Sequence, residues 1–284
     1  MVRSLLFVPA DSEHKMTRAL ASQADALIFD LEDSVAFDRK CLARALVQQV
    51  IAGAKTDKQL WIRINALHTG HALDDLAAVV ALQPFGIVLP KCEGSAILRQ
   101  ISHYLDAFER IADVAVGQTK ILPIITETAR ALMAVNDYVN VTPRLWGVSW
   151  GAEDLSADIG SHINRVDGRY TELFRMARSM CLVAAAAADV LAIDTVCVDL
   201  DDSDILSSET QEAVNDGFTA KMLIHPRHIE TVNRIFSPSP QQLQWAHSVV
   251  AAFEENPLAG TLNLNGKMID QPHLRLAQRL LDKE

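Results

Sequence analysis

The sequence predicts an α/β fold, a (β/α)8 barrel followed by a C-terminal helical extension. Three observations carry this. About eight short apolar or β-branched runs alternate with longer amphipathic stretches across 284 residues. Several runs are continuously apolar rather than alternating, the pattern of a parallel sheet covered on its outside by helices. Charged residues also gather just after the runs, where a barrel exposes its active-site rim. A barrel takes roughly 250 residues, so residues 1–236 read as one catalytic domain and 237–284 as an appendage.

The strand expectations, in order, are 4–8, 26–30, 60–64, 86–89, 121–125, 145–149, 191–194 and 222–224. Amphipathic helices are expected between them, at 39–52, 95–111 and 170–188 among others. A doubly wound open sheet is the rival architecture. The first run is followed by Pro9-Ala10-Asp11-Ser12 rather than a GxGxxG turn, so a dinucleotide-binding fold gains no support. After the eighth unit, Pro238 and Pro240 stop a helix and turn the chain. A helix over 241–255 follows, and Gly266-Lys-Met-Ile-Asp270 is read as opening a last helix.

Hydrophobic residues make up 49% of the chain and charged residues 22%, which suits a large buried core without disulfide or metal staples. The formal charge of -10 argues against a nucleic-acid partner but not against an anionic substrate met by local cations. Four cysteines form neither a CxxC pair nor a zinc spacing, as expected of thiols in a reducing compartment. The N-terminal apolar run is about five residues, shorter than a signal peptide's, and the run from Cys181 to Ala188 is too short to cross a bilayer. A cytoplasmic protein without a membrane partner is expected.

The residues after each run are the candidates for chemistry: Asp30, Glu32 and Asp33 after the second, Arg63 and Asn65 on the third, Lys91 after the fourth, Glu127 after the fifth, Asp154 after the sixth, Asp194 and His225 after the last two. Glu127 and Asp154 follow neighbouring strands. Two carboxylates so placed suit Mg²⁺, which takes one or two carboxylates plus water and substrate oxygens; alternatively each caps the segment that follows it. Arg63, inside an apolar strand, either forks onto a substrate carboxylate or enolate or pairs with Asp30, Glu32 or Asp33, because a buried unpaired guanidinium is costly. His225 reads as loop support more readily than as a base, and Lys91 as a surface or phosphate-binding lysine rather than a Schiff-base former. Ser149 and Ser156 lack a GxSxG context.

The segments Arg3-Ser-Leu-Leu-Phe-Val-Pro9, Phe29-Asp-Leu-Glu-Asp-Ser-Val35, Arg63-Ile-Asn65, Leu89-Pro-Lys91, Glu127-Thr-Ala-Arg130, Gly151-Ala-Glu-Asp-Leu-Ser-Ala-Asp158, Ala192-Ile-Asp-Thr195, Ile224-His-Pro226 and Gly266-Lys-Met-Ile-Asp270 occur in this order. Together they resemble the HpcH/HpaI aldolase and citrate lyase β-subunit family, in particular its citramalyl- and malyl-CoA lyase branch. The resemblance implies a phosphoenolpyruvate/pyruvate-domain-like TIM barrel. It also implies a Mg²⁺-dependent carbon–carbon lyase that cleaves a 3-hydroxyacyl-CoA to acetyl-CoA and a 2-oxo acid. Glu127 and Asp154 would hold the metal, with Glu32 and Asp33 behind them. Glu127 and Arg63 would meet substrate, and Asp270 would be the acid–base group, delivered by the C-terminal segment of a neighbouring subunit in a homo-oligomer, a trimer. Other outcomes on the same site are thioester hydrolysis, malate-synthase-like condensation, or a non-catalytic role in a citrate lyase assembly. The sequence departs from the family where Thr126 replaces an apolar residue beside Glu127.

Overall fold

The computed structural model describes residues 1–282. Eight parallel strands form the sheet: β1 (Ser4–Pro9), β2 (Ala26–Asp30), β3 (Gln59–Arg63), β4 (Gly86–Leu89), β5 (Lys120–Pro123), β6 (Gly147–Ser149), then, after a small hairpin β7 (Arg165–Val166) and β8 (Arg169–Tyr170), β9 (Leu191–Asp194) and β10 (Ala220–Leu223). Their spatial order is β5-β4-β3-β2-β1-β10-β9-β6. Parallel bridges Ile121–Leu145 and Ile124–Ser149 join β5 to β6 and bring the two edges together. The fold is a TIM barrel.

The helices α1 (Glu13–Leu20), α2 (Lys40–Gly53), α3 (Ala72–Val79), α4 (Ser95–Ile111), α5 (Ala129–Met133), α6 (Glu153–Ile159), α7 (Glu172–Ala187), α8 (Ser203–Asp216) and α9 (Ile229–Phe236) connect successive strands and surround the sheet. Strand alternation divides the apolar residues in two. Leu6, Val8, Leu27, Phe29, Ile62, Ile87, Leu89 and Ile121 pack outward under the helices. Leu5, Ala26, Ile28, Trp61, Val88, Leu122, Ile193 and Met222 form the inner cluster. Gly86 makes room there: a Cβ would lie 2.5 Å from the Trp61 ring and 2.6 Å from the Lys120 carbonyl oxygen.

The strand edges deserve two corrections. The β5–β6 seam is held by isolated bridges, so both strands are shorter than the apolar runs suggested. The last strand starts at Ala220, before the expected 222, because Lys221 is hidden outside the barrel with its Nζ 2.7 Å from Asp194 Oδ2. A lysine breaks the apolar pattern in sequence, yet an ion pair lets it lie buried at 1% exposure.

Beyond Phe236 the chain forms α10 (Pro240–Glu255), strands β11 (Thr261–Leu264) and β12 (Lys267–Asp270), and α11 (Gln271–Leu281). Ser239 and Gln242 make a capping box and Pro240 takes the first turn of α10. The segment Gly266–Asp270 does not open a helix; it leads into the second strand of an antiparallel hairpin. Asn265 and Gly266, with φ of 54° and 82°, form its two-residue turn, and Asp167-Gly168 turns β7 into β8 in the same way. The extension packs Ala246, Val249, Phe253, Ile269 and Ala277 into a core of its own. The end of α11 (Leu276, Arg279, Leu280) lines a cleft of about 1680 Å³ with Arg3, Gln59, Lys120, Leu191 and Thr219, residues at or near the N-terminal ends of the barrel strands. This is the face opposite the polar rim.

Candidate active site

The rim is built on an acidic turn after β2. Asp30 accepts the N–H of Glu32 at 2.9 Å and that of Ser34 at 3.1 Å, fixing the turn through its own carboxylate. Lys40 Nζ donates to the carbonyls of Leu31 and Glu32, both at 2.7 Å, and Asn65 Nδ2 donates to Leu31 O at 2.9 Å. Cations and amides from α2 and the end of β3 thus hold the turn rigidly.

Arg63, beside Asp30 in register, forks onto it with Nε–Oδ1 and Nη2–Oδ2 both 2.7 Å. Its Nη1 stands 3.1 Å from Glu32 Oε2, and the guanidinium lies 4.6 Å from the Phe7 ring centroid. Burial disfavours the guanidinium charge, but Asp30, Glu32 and Glu127 outweigh it and keep its pKa above the usual arginine value. Of the two readings of Arg63, the pairing with Asp30 is present, and Nη1 is the group directed at the remaining acids. Burial likewise raises the Glu32 carboxyl, partly countered by Arg63 and Lys91.

Glu127 follows β5 and is buried. Its Oε2 accepts the backbone N–H of Lys91 at 2.5 Å. Gly151, after β6, lies against it: a Cβ there would come within 2.6 Å of Glu127 Cγ. The Gly151 N–H is itself held 3.2 Å from Thr126 Oγ1, so the hydroxyl that departs from the family pattern secures this contact. Thr128, not Glu127, caps α5, accepting the Ala131 N–H at 3.0 Å. Burial first, then Asp154 and Glu32, push the Glu127 pKa up to about 8.

Asp154 sits in the first turn of α6 and is about one-third exposed, its Oδ1 3.3 Å from Lys91 Nζ. Its neighbour Glu153 turns away, accepting from Asn164 at 2.9 Å and pairing with Arg165 at 3.4 Å.

Lys91 is the residue that sequence reasoning misplaced. It is neither a surface lysine nor a free amine: Nζ reaches Glu32 at 2.5 Å, Asp33 at 3.2 Å and Asp154 at 3.3 Å. Burial disfavours its charge, but Glu32, Glu127 and Asp154 outweigh that and raise its pKa, which disfavours a neutral nucleophile. Its position directly after Pro90 at a strand end was the only available signal.

The rim therefore brings together Arg63, Glu32, Asp33, Glu127 and Asp154. Asp270 is not joined to them: it caps α11 in a capping box, with its Oδ1 2.5 Å from His273 Nδ1. His225 supports its loop, Nδ1 accepting the Arg227 N–H at 3.2 Å. Among the described residues no cluster of three or more His, Cys, Asp or Glu could cage an ion. Two carboxylates without a cage fit Mg²⁺, which keeps water and substrate oxygens in its shell.

A TIM barrel with acidic groups and a locked arginine at the C-terminal rim defines a barrel enzyme. Residues 3–226 match the family described as HpcH/HpaI aldolase/citrate lyase, and the chain belongs to that family; it is an enzyme, a carbon–carbon lyase of the aldolase type. It is 34% identical to the citrate lyase subunit beta of Leuconostoc mesenteroides subsp. cremoris, over 98% of this chain and 92% of that one. It is 31% identical to the (3S)-malyl-CoA thioesterase of Cereibacter sphaeroides (99% and 94% covered) and to the mitochondrial citramalyl-CoA lyase of Rattus norvegicus (98% and 85% covered). Among solved structures, protein CitE from Mycobacterium tuberculosis, in complex with magnesium, acetoacetate and coenzyme A, superposes with a TM-score of 0.82 at 31% identity, covering 99% of this chain and 97% of that one. No helix among the described residues is long and apolar enough to cross a membrane.

Proposed function

We propose that this chain cleaves a 3-hydroxyacyl-CoA of the citramalyl-, malyl- or citryl-CoA kind to acetyl-CoA and a 2-oxo acid, with Mg²⁺ held by Glu127 and Asp154. The observation that carries the reading is the buried Glu127 and the accessible Asp154, which follow neighbouring strands and both meet Lys91. The magnesium and coenzyme A in the M. tuberculosis relative support it. When bound, the metal supplies Lewis-acid polarisation of substrate oxygens.

The chain's own residues do the rest. Asp30 holds the Arg63 guanidinium in place so that Nη1 faces the charge that develops on the thioester oxygen as the carbon–carbon bond breaks. The 3-hydroxyl gives its proton to the Asp270 carboxylate, directly or through water, as its carbon becomes a carbonyl, and the bonding electrons pass to the thioester as an enolate. Asp270 then protonates the enolate carbon, or removes that proton in the reverse direction. Because Asp270 is on an extension whose last helix ends below the opposite face of its own barrel, we assign it to a neighbouring subunit's site, in a homo-oligomer, a trimer. In this division residues 1–236 are the catalytic barrel and 237–284 the extension that completes the next site, with Lys15 and Arg18, exposed on α1, available to coenzyme A phosphates. The net charge of -10 accords with no nucleic-acid partner, and four free cysteines accord with a cytoplasmic, reducing compartment.

The Cereibacter thioesterase favours one second reading, hydrolysis of the thioester. A coupled assay with Mg²⁺ over malyl-, citramalyl- and citryl-CoA, following oxo acid and free thiol separately, decides. Oxo acid without free thiol supports the lyase and names its substrate. Free thiol without oxo acid makes it a thioesterase, and neither product refutes both readings.

A further inference from the structure

Lys91 joins two features that are seldom combined. Its backbone is left-handed, with φ 50°, a conformation uncommon for a side-chain-bearing residue outside turns. That conformation accompanies an N–H aimed at Glu127 Oε2. Its ammonium, meanwhile, lies among Glu32, Asp33 and Asp154. The same residue therefore contacts both carboxylates assigned to the metal, one through the main chain and one through the side chain.

We propose that Lys91 is a resident rival cation: its backbone leaves Glu127 with one oxygen free for a divalent ion, while its ammonium competes for Asp154 and weakens that ion's binding. The inference rests on the metal reading above. Asp30 is neutralised by Arg63, so four carboxylates remain around Lys91: Glu32, Asp33, Glu127 and Asp154. Without an internal positive charge, the field of these carboxylates would draw a divalent ion to Glu127 and Asp154 more strongly. With Lys91 present, the ion is held loosely by the protein and more firmly once substrate oxygens add their share. This keeps metal and substrate binding coupled.

The test is Mn²⁺ binding, read by electron paramagnetic resonance of free ion and by calorimetry, on substrate-free protein. Lys91→Met keeps a side chain of similar reach and imposes no new backbone demand, so the N–H to Glu127 persists while the ammonium goes. Lys91→Gln is a second neutral variant, and Lys91→Arg retains the charge. The neutral variants are expected to bind Mn²⁺ on the order of tenfold more tightly, and Lys91→Arg within about twofold of wild type. Thermal melts accompany each titration, and a variant that is not folded is replaced by the other neutral one. Unchanged or weaker binding in the folded neutral variants overturns the rival-cation inference while leaving the metal site standing. Neutral Lys91 variants that, like the wild type, bind Mn²⁺ no more tightly than Glu127→Gln does overturn the metal reading and this inference with it.

Discussion

Gly151→Ala is the sharpest test of how the site is assembled. The added methyl would start 2.6 Å from Glu127 Cγ and 3.4 Å from its Oε1. Carbon atoms rest about 3.5–4.0 Å apart, so one partner must yield by roughly 1 Å. Gly151 is poorly placed to do so, since its N–H is bonded to the Thr126 hydroxyl inside the barrel rim. Glu127 is 2% exposed and tied to the Lys91 N–H, so its displacement breaks that bond or rotates the carboxylate away from Asp154. A misplacement of about 1 Å costs on the order of 10²-fold in rate. The overpacking itself costs about 1–3 kcal/mol. The assay pairs kcat on the substrate that the acyl-CoA panel identifies with Mn²⁺ affinity and a melting curve. A folded Gly151→Ala protein with wild-type turnover and wild-type Mn²⁺ affinity would refute the claim that this glycine seats the carboxylate.

Three further outcomes follow from the same structure. Asp270→Asn should lower lyase turnover by about 10²–10⁴-fold and leave Mn²⁺ binding unchanged, because Asp270 lies outside the carboxylate group; full lyase activity in this variant would remove it from the mechanism. Mixing Asp270→Asn with Glu127→Gln subunits under exchange conditions should restore activity that neither has alone, and no restoration would place Asp270 in its own barrel's reaction or none. Away from the site, burial alone would raise the Glu109 carboxyl, but Arg144 and the N–H groups of Thr119 and Gly117 outweigh it and hold its pKa at about 2, against an ordinary 4.5. The folded value is the lower one, so the contribution to stability is complete above pH 4.5 and is lost as pH falls towards 2. Glu109→Gln should cost about 3–5 kcal/mol at neutral pH by leaving Arg144 buried without its main partner, and should flatten the acid limb of urea-melt stability; an unaltered acid limb would contradict this.

How far the sequence could be read depended on whether a residue's role was local. The existence of β1 to β4 was legible because each holds a short apolar run, although such a run does not say which side chains face inward; Glu127, Asp154 and Arg63 were legible because position at a strand end is itself a chemical argument. Lys221 hid the start of β10, since its burial depends on Asp194, a partner 27 residues away. Asn265-Gly266 was overlooked as a hairpin turn although the dipeptide is a strong local signal; the apolar Met268 and Ile269 that follow fit a helix as well as a strand when read alone. Asp270 could be singled out only through the family resemblance, and its surroundings, a capping box on a separately packed extension, give no chemical hint within one chain. Lys91 shows the deeper limit. Its three carboxylate partners come from the turn after β2 and from α6, and its main-chain partner from the end of β5. A motif can show which carboxylates are present. Which cation they are matched against depends on a charge balance that exists only after β2, β4, β5 and β6 have closed side by side.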